Sequence, residues 1–151
     1  LAYIPQTLID PPFLTVLEII NLGMRLWKIS NKGKLEIIYS ISKQCGIEPL
    51  LNRKFESLSG GEKQRVWLSF CLAQDKEIIL LDEPLSSIDY DSREDFYNLL
   101  QEITKKSKTL ILVTHDNDLS VKYSDKIIYM DNGSIEFDGS SSDFKKSRLK
   151  E

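Results

Sequence analysis

Apolar residues recur along the chain in two rhythms: a three-and-four spacing through the first half, and short unbroken runs through the second. Leu1 to Gln6 reads as the end of a strand, stopped by Pro5. After the breaker Asp10-Pro11-Pro12, a Thr15/Glu18 capping pair precedes Val16, Leu17, Ile19, Ile20 and Leu22, which predicts a helix over about residues 15 to 26. Asn31, Lys32 and Gly33 interrupt the pattern before Leu35, Ile38, Ile41 and Cys45 recur on one helical face, and Gly46 is the expected terminator. Glu48 to Leu51 reads as a short turn or helix, and a further helix is expected from about residue 60 to 74. The stretch 13 to 74 is therefore helical in character.

After Lys76 the rhythm changes. Glu77-Ile78-Ile79-Leu80-Leu81-Asp82 and Thr109-Leu110-Ile111-Leu112-Val113-Thr114 are continuous apolar runs, as strands buried on both faces require. Between them a helix carries Phe96, Leu99, Leu100 and Ile103. A short helix near 116 to 123 and a strand over Lys126 to Met130 follow, and the Asn132-Gly133 turn leads into a returning strand, Ser134 to Phe137. Alternating strands and helices imply an α/β fold with a largely parallel sheet and ligands at the carboxyl ends of its strands. The pattern divides the chain into residues 1–12, a core strand end and loop; 13–75, a helical subdomain; and 76–151, the remainder of the core.

Composition narrows the function classes. The 151 residues suffice for a real core, and a net charge of −3 gives no general affinity for nucleic acid. The terminal basic run Lys145, Lys146, Arg148 and Lys150 reads as a frayed, solvated end. Cys45 and Cys71, with no Cys-x-x-Cys motif, read as reduced core residues of a cytosolic protein. No apolar run approaches the roughly 18 residues of a spanning helix and no cleavable leader precedes the fold, so a membrane role is expected to run through a partner. The opening at Leu1 rather than methionine reads as a piece of something longer.

Two segments carry the strongest chemical signals. In Leu58-Ser59-Gly60-Gly61-Glu62-Lys63-Gln64-Arg65-Val66, a helix cap needs only Ser59 and Glu62. Gly60 and Gly61 each weaken a helix by roughly 1 kcal/mol relative to alanine. What they offer instead is access: a phosphate can approach bare backbone amides at the positive end of a helix. In Asp82-Glu83-Pro84, two adjacent acids close a strand, one placed to hold a water of bound magnesium and the other to polarise an attacking water. Pro84 is expected to keep Glu83 out of helical geometry. Asp89 is placed to cap the next helix. His115, the single histidine, follows the second buried run directly. Asp116-x-Asp118 lacks the glycine and distant glutamate of a calcium loop.

LSGGEKQRV at 58–66, IILLDEP at 78–84, LSSID at 85–89, THD at 114–116 and YIPQ at 3–6 stand in an order and at spacings that resemble the ATP-binding cassette (ABC) ATPases. They correspond to that family's signature, Walker B strand with catalytic glutamate, D-loop, switch histidine and Q-loop. Ser87 and Ile88 stand where the commoner D-loop has alanine and leucine. The resemblance implies a P-loop NTPase core of ABC type, a parallel sheet with an inserted all-α subdomain, and ATP and Mg²⁺ as cofactors. It implies Glu83 and His115 as catalytic residues, Asp82 and Gln6 at the magnesium, and Ser59, Gly60, Gly61, Gln64, Gln6 and Asp89 at the nucleotide. It further implies a dimer with a second nucleotide-binding domain, identical or different, in which Ser59, Gly60 and Gly61 complete the opposite subunit's site. The other implied partner is an integral membrane permease, received by the helical subdomain with Asp10 to Arg25 as the candidate contact, at the cytoplasmic face of the membrane.

Residues 13–30, with Leu72-Ala73-Gln74-Asp75, look like the ATPases of bacterial importers for iron chelates, cobalamin or metal ions. The alternatives are a soluble cassette protein acting on ribosomes, a DNA-repair or chromosome-structural head, and a non-catalytic regulatory fragment. A compact insert without a heptad run weighs against the coiled-coil heads. None of the glycines, at 23, 33, 46, 60, 61, 133 and 139, opens the Walker A motif G-x-x-x-x-G-K-[ST]. The chain thus resembles the family from the Q-loop to the C-terminus, and alone it is expected to bind ATP weakly and not to hydrolyse it.

Overall fold

The computed structural model describes residues 1–7, 9–85, 88–105 and 108–148, so Ser86 and Ser87 of the LSSID segment and Lys150 of the basic run lie outside the described residues. The chain forms two compact units, Leu1–Val113 and Thr114–Glu151.

In the first unit, β1 (Ala2–Ile4), β2 (Ile78–Asp82) and β3 (Thr109–Val113) form a parallel sheet in that order, with Tyr3 opposite Leu80 and Asp82 opposite Val113. Parallel neighbours need long crossovers. The chain supplies α4 (Tyr90–Thr104) between β2 and β3, and α1 (Val16–Gly23), α2 (Asn31–Cys45) and α3 (Gly60–Ala73) between β1 and β2.

Capping sets the helix limits. Thr15 and Glu18 form the expected capping box, but α1 stops at Gly23 rather than near residue 26, because the buried Met24 turns its N–H back to the carbonyls of Asn21 and Leu22. Asn31-Lys32-Gly33 proves to be the first turn of α2 instead of an interruption: Ser30 Oγ accepts from the Gly33 N–H at 3.2 Å. The buried face of α2 is Ile38, Ser42 and Cys45, while Leu35 is exposed. Ser42 is tolerated there because its hydroxyl donates to the Ile38 carbonyl at 2.7 Å. Gly46, at φ 69°, ends the helix as expected.

α3 packs against both α1 and α2 and touches β1. Phe55, fully buried in a 3-10 turn just before α3, meets Trp67 edge-on at 5.5 Å, and Trp67 meets Phe70 at 5.6 Å. The excursion through α1 and α2 is clasped at its base. Phe55 N–H donates to the Leu14 carbonyl at 2.9 Å and Val16 N–H to the Arg53 carbonyl at 3.0 Å. Cys45 and Cys71 are both buried and form no disulfide; burial pushes the Cys71 thiol up to about 12, which leaves it inert at neutral pH.

One expectation about the sheet is corrected. The apolar runs of β2 and β3 predicted cover on both faces, yet among the described residues only one face is covered. Ala2, Ile4, Ile79 and Leu81 are buried, whereas Tyr3, Ile78, Ile111 and Val113 on the other face are 40 to 48% exposed.

In the second unit, β4 (Lys126–Asp131) and β5 (Ser134–Ser140) form the expected hairpin, its two-residue loop at φ 45° for Asn132 and 81° for Gly133. α5 (Asn117–Tyr123) precedes it and α6 (Ser141–Arg148) follows. Lys145 and Lys146 therefore belong to a helix, not a frayed end. Phe144 holds that helix down, buried 5.1 Å from the Phe137 ring and 5.7 Å from Tyr129. Among the described residues no helix is long and apolar enough to cross a membrane.

Candidate functional site

Strand register places the acids. Tyr3 pairs with Leu80, so its side chain stands on the same sheet face as Asp82 two residues on, and its hydroxyl donates to Asp82 Oδ2 at 3.3 Å. Partial desolvation, then the neighbouring carboxylate, hold the Tyr3 phenol above its ordinary value, so it remains a donor. Past Pro5, Gln6 Nε2 donates to Glu83 Oε2 at 3.0 Å. Each acid at the end of β2 is thus gripped by one residue from the end of β1 or the loop after it.

Glu83 takes an unusual backbone to get there. Its N–H donates to the Val113 carbonyl at 2.9 Å, adding a rung to the β2–β3 ladder, and its φ is 45°. Pro84 excludes the right-handed helical region as expected. The residue nevertheless adopts the left-handed conformation rather than the extended one that a following proline ordinarily imposes. Such geometry costs on the order of 1–3 kcal/mol and survives where surrounding bonds over-determine it. Here the ladder bond and the Gln6 contact do so.

The second group of predicted residues sits at the start of α3. Ser59 and Glu62 form a complete capping box: Glu62 Oε2 accepts from the Ser59 N–H at 2.7 Å and Ser59 Oγ from the Glu62 N–H at 3.4 Å. Arg53 steadies it, reaching Glu62 Oε1 at 3.6 Å and donating to the Ser57 carbonyl at 2.7 Å. A Cβ added at Gly61 would meet nothing within 4 Å, so no packing inside the chain calls for glycine there. Ser59 and Gly61 line a cleft of about 280 Å³ with Arg65, Ile88, Ser92 and Asp95. None of Gln6, Asp82 and Glu83 lines it.

The remaining predicted residues fall elsewhere. Gln64 lies in the second turn of α3 with Oε1 buried and without a hydrogen-bond partner, and it does not line the cleft. Asp89 caps α4, its Oδ1 accepting from the Ser92 N–H at 3.0 Å. His115 is exposed and belongs to the second unit, two positions after β3 ends. Asp116 caps α5 through the Leu119 N–H at 3.1 Å. Sequence reading assigned no contact to Tyr3 and overlooked three ties around α3. These are Arg53 on Glu62, Arg65 on the Cys45 carbonyl at 3.1 Å, and Lys63 on Asp10 at 2.5 Å. Each joins residues nine or more positions apart, beyond the reach of local pattern.

Among the described residues no group of three His, Cys, Asp or Glu side chains could hold a metal by itself. Magnesium asks for less: one or two carboxylates beside substrate phosphates and waters. The Asp82 carboxylate and the Gln6 amide are oxygen donors of that kind, and so they fit.

Three caps make the unit acid-sensitive. Glu18, Glu62 and Asp89 all sit below the usual carboxylate range, chiefly because backbone N–H groups of Thr15, Ser59 and Ser92 bond to them. A depressed folded-state value means stability present above the ordinary carboxylate pKa and lost as pH falls through the folded one. The urea midpoint followed by far-UV circular dichroism is expected to be level down to about pH 5 and to fall below about pH 4. A midpoint that rises on acidification contradicts this.

A family model described as ABC transporter matches residues 1–86. The achromobactin transport ATP-binding protein of Dickeya dadantii is 33% identical over 140 residues, covering 87% of this chain and 51% of that protein. The thiamine import ATP-binding protein of Photobacterium profundum is 39% identical over 126 residues, covering 82% and 52%. A bacterial ABC transporter cassette solved as a dimer superposes with a TM-score of 0.79 at 28% identity, covering 93% of this chain and 62% of that one. The chain spans about half the length of the curated relatives it matches.

Proposed function

The chain belongs to the ABC transporter family of ATP-binding proteins, and from that premise we propose that it is part of an ATP-hydrolysing subunit that powers import of a solute across a membrane. The observation that carries the reading is the pair of gripped acids at the end of β2, Asp82 held by Tyr3 and Glu83 by Gln6. Glu83 accepts the proton of the attacking water, Gln6 fixes the direction of its carboxylate, and His115 contacts the γ-phosphate. Asp82 and Gln6 would hold the magnesium ion. That ion, when bound, neutralises charge on the phosphates.

Ser59, Gly60 and Gly61 present the positive end of α3 to a phosphate. Because neither Asp82 nor Glu83 lines their cleft, a complete site takes two chains, each lending its α3 end to the other's ATP. Asp89 at the start of α4 and Gln64 in the second turn of α3 join Ser59, Gly60 and Gly61 as nucleotide-binding residues. Residues 1–12, 13–75 and 76–151 act as loop, helical subdomain and core. The permease docks on Asp10 to Arg25, where Phe13 and Leu22 are exposed and Phe13 has a φ of 65°, a strain that a bulky residue keeps only under constraint. With the permease docked there, the subunit lies on the cytoplasmic face of the membrane. The finer reading is an iron-chelate or metal importer, supported by the look of residues 13–30 and by the relative that transports achromobactin.

The test uses the whole protein with ATP and magnesium. Sedimentation is expected to show an ATP-dependent dimer, and a phosphate assay is expected to show release. A protein that stays monomeric and releases no phosphate overturns the reading.

A further inference from the structure

The end of β1 brings a phenol to the acid that the proposed function assigns to magnesium. Tyr3 Oη lies 3.3 Å from Asp82 Oδ2, and strand parity rather than chance puts it there, since Tyr3 pairs with Leu80 on the face that also carries Asp82. Its neighbours Ala2 and Ile4 are 1% and 2% exposed and anchor the strand, while Tyr3 itself is 48% exposed. What the hydroxyl adds is a donor to one carboxylate oxygen, which limits rotation of the group and leaves the other oxygen for a ligand.

We propose that Tyr3 is a positioning residue for magnesium, orienting the Asp82 carboxylate through its hydroxyl. The inference rests on the reading of Asp82 given above. Partners that orient a metal-ligating group typically contribute about 10- to 100-fold in metal affinity. At 3.3 Å and half exposed, Tyr3 belongs at or below the low end of that range.

The experiment compares Tyr3→Phe, Asp82→Asn and the unaltered whole protein. Mn²⁺ binding to the ATP-loaded dimer is read by electron paramagnetic resonance, alongside the Mg²⁺ dependence of phosphate release and the thermal midpoint. For Tyr3→Phe the expected result is Mn²⁺ affinity weaker by about 3- to 10-fold, a matching rise in half-saturating Mg²⁺, and a maximal rate at saturating Mg²⁺ within about twofold. Unchanged Mn²⁺ affinity overturns the proposal, as does a lowered rate and thermal midpoint with no change in metal dependence, the mark of packing alone. Tighter Mn²⁺ binding overturns it too, since it makes the hydroxyl a competitor for Asp82. If Asp82→Asn itself leaves Mn²⁺ affinity intact, the assignment of Asp82 has failed, separately from the role of Tyr3.

Discussion

Glu83→Gln is expected to lower ATP turnover by the whole protein about 100- to 1,000-fold while leaving ATP-dependent dimerisation in place. The substitution is nearly isosteric. Its side-chain oxygen can still accept from Gln6 Nε2, now 3.0 Å from Glu83 Oε2, and the backbone bond to Val113 is untouched. The left-handed backbone at φ 45° is no less available to glutamine than to glutamate. What disappears is the charged proton acceptor, and positioned acid–base groups contribute about 10²- to 10⁴-fold. Single-turnover phosphate release measures the loss, and sedimentation with ATP shows whether the dimer persists. A fall of less than about tenfold would remove Glu83 from the role of general base.

Gly23→Ala is expected to destabilise the first unit by about 1–3 kcal/mol, although alanine is ordinarily the better helix residue. Two effects of opposite sign compete. Alanine gains at most about 1 kcal/mol in a helix interior, and less at the last residue of α1. Against this, the added Cβ would lie 2.5 Å from the Phe70 carbonyl oxygen and 3.0 Å from Ala73 Cβ, where α1 crosses α3. A backbone carbonyl fixed by the last turn of α3 cannot swing aside like a flexible side chain, so the helices must part. Phe70 borders Trp67, which packs on Phe55, so a shift there reaches the buried centre. Urea unfolding of the two proteins decides it: equal or greater stability for the alanine variant would mean that the crossing is looser than the geometry implies.

How much could be read from sequence follows from the range of each interaction. Capping boxes at Thr15/Glu18 and Ser59/Glu62, the turn at Asn132-Gly133 and the stop at Gly46 are set within three or four residues, and they stand where the pattern put them. The α3 signature and the acids ending β2 were legible for the same reason. Errors arose where a polar stretch concealed a helix. Asn31 to Gly33 looked like a break because its helix start is decided by Ser30, and α6 looked like a frayed basic tail because one buried phenylalanine, Phe144, holds it. The grip of Tyr3 on Asp82 depends on which strands pair and in what register, spanning 79 positions. Apolar runs announced that β2 and β3 seek cover, but not which face the described residues would fill.

The clasp at the base of the helical insert has a consequence for how such a protein can diverge. Leu14 and Phe55 are joined by a hydrogen bond, as are Val16 and Arg53, so the chain leaves and returns at one spot before α3 begins. Lengthening an excursion whose ends are already tied costs little, since closure entropy grows only with the logarithm of loop length. Exposed positions of the turn between α1 and α2 can accordingly vary in number and sequence, while the buried faces of α1 and α2 stay packed on α3 and the glycines at its start keep their station. In the reading proposed above, permease docking and phosphate contact are thereby separable by natural selection within one short stretch of chain.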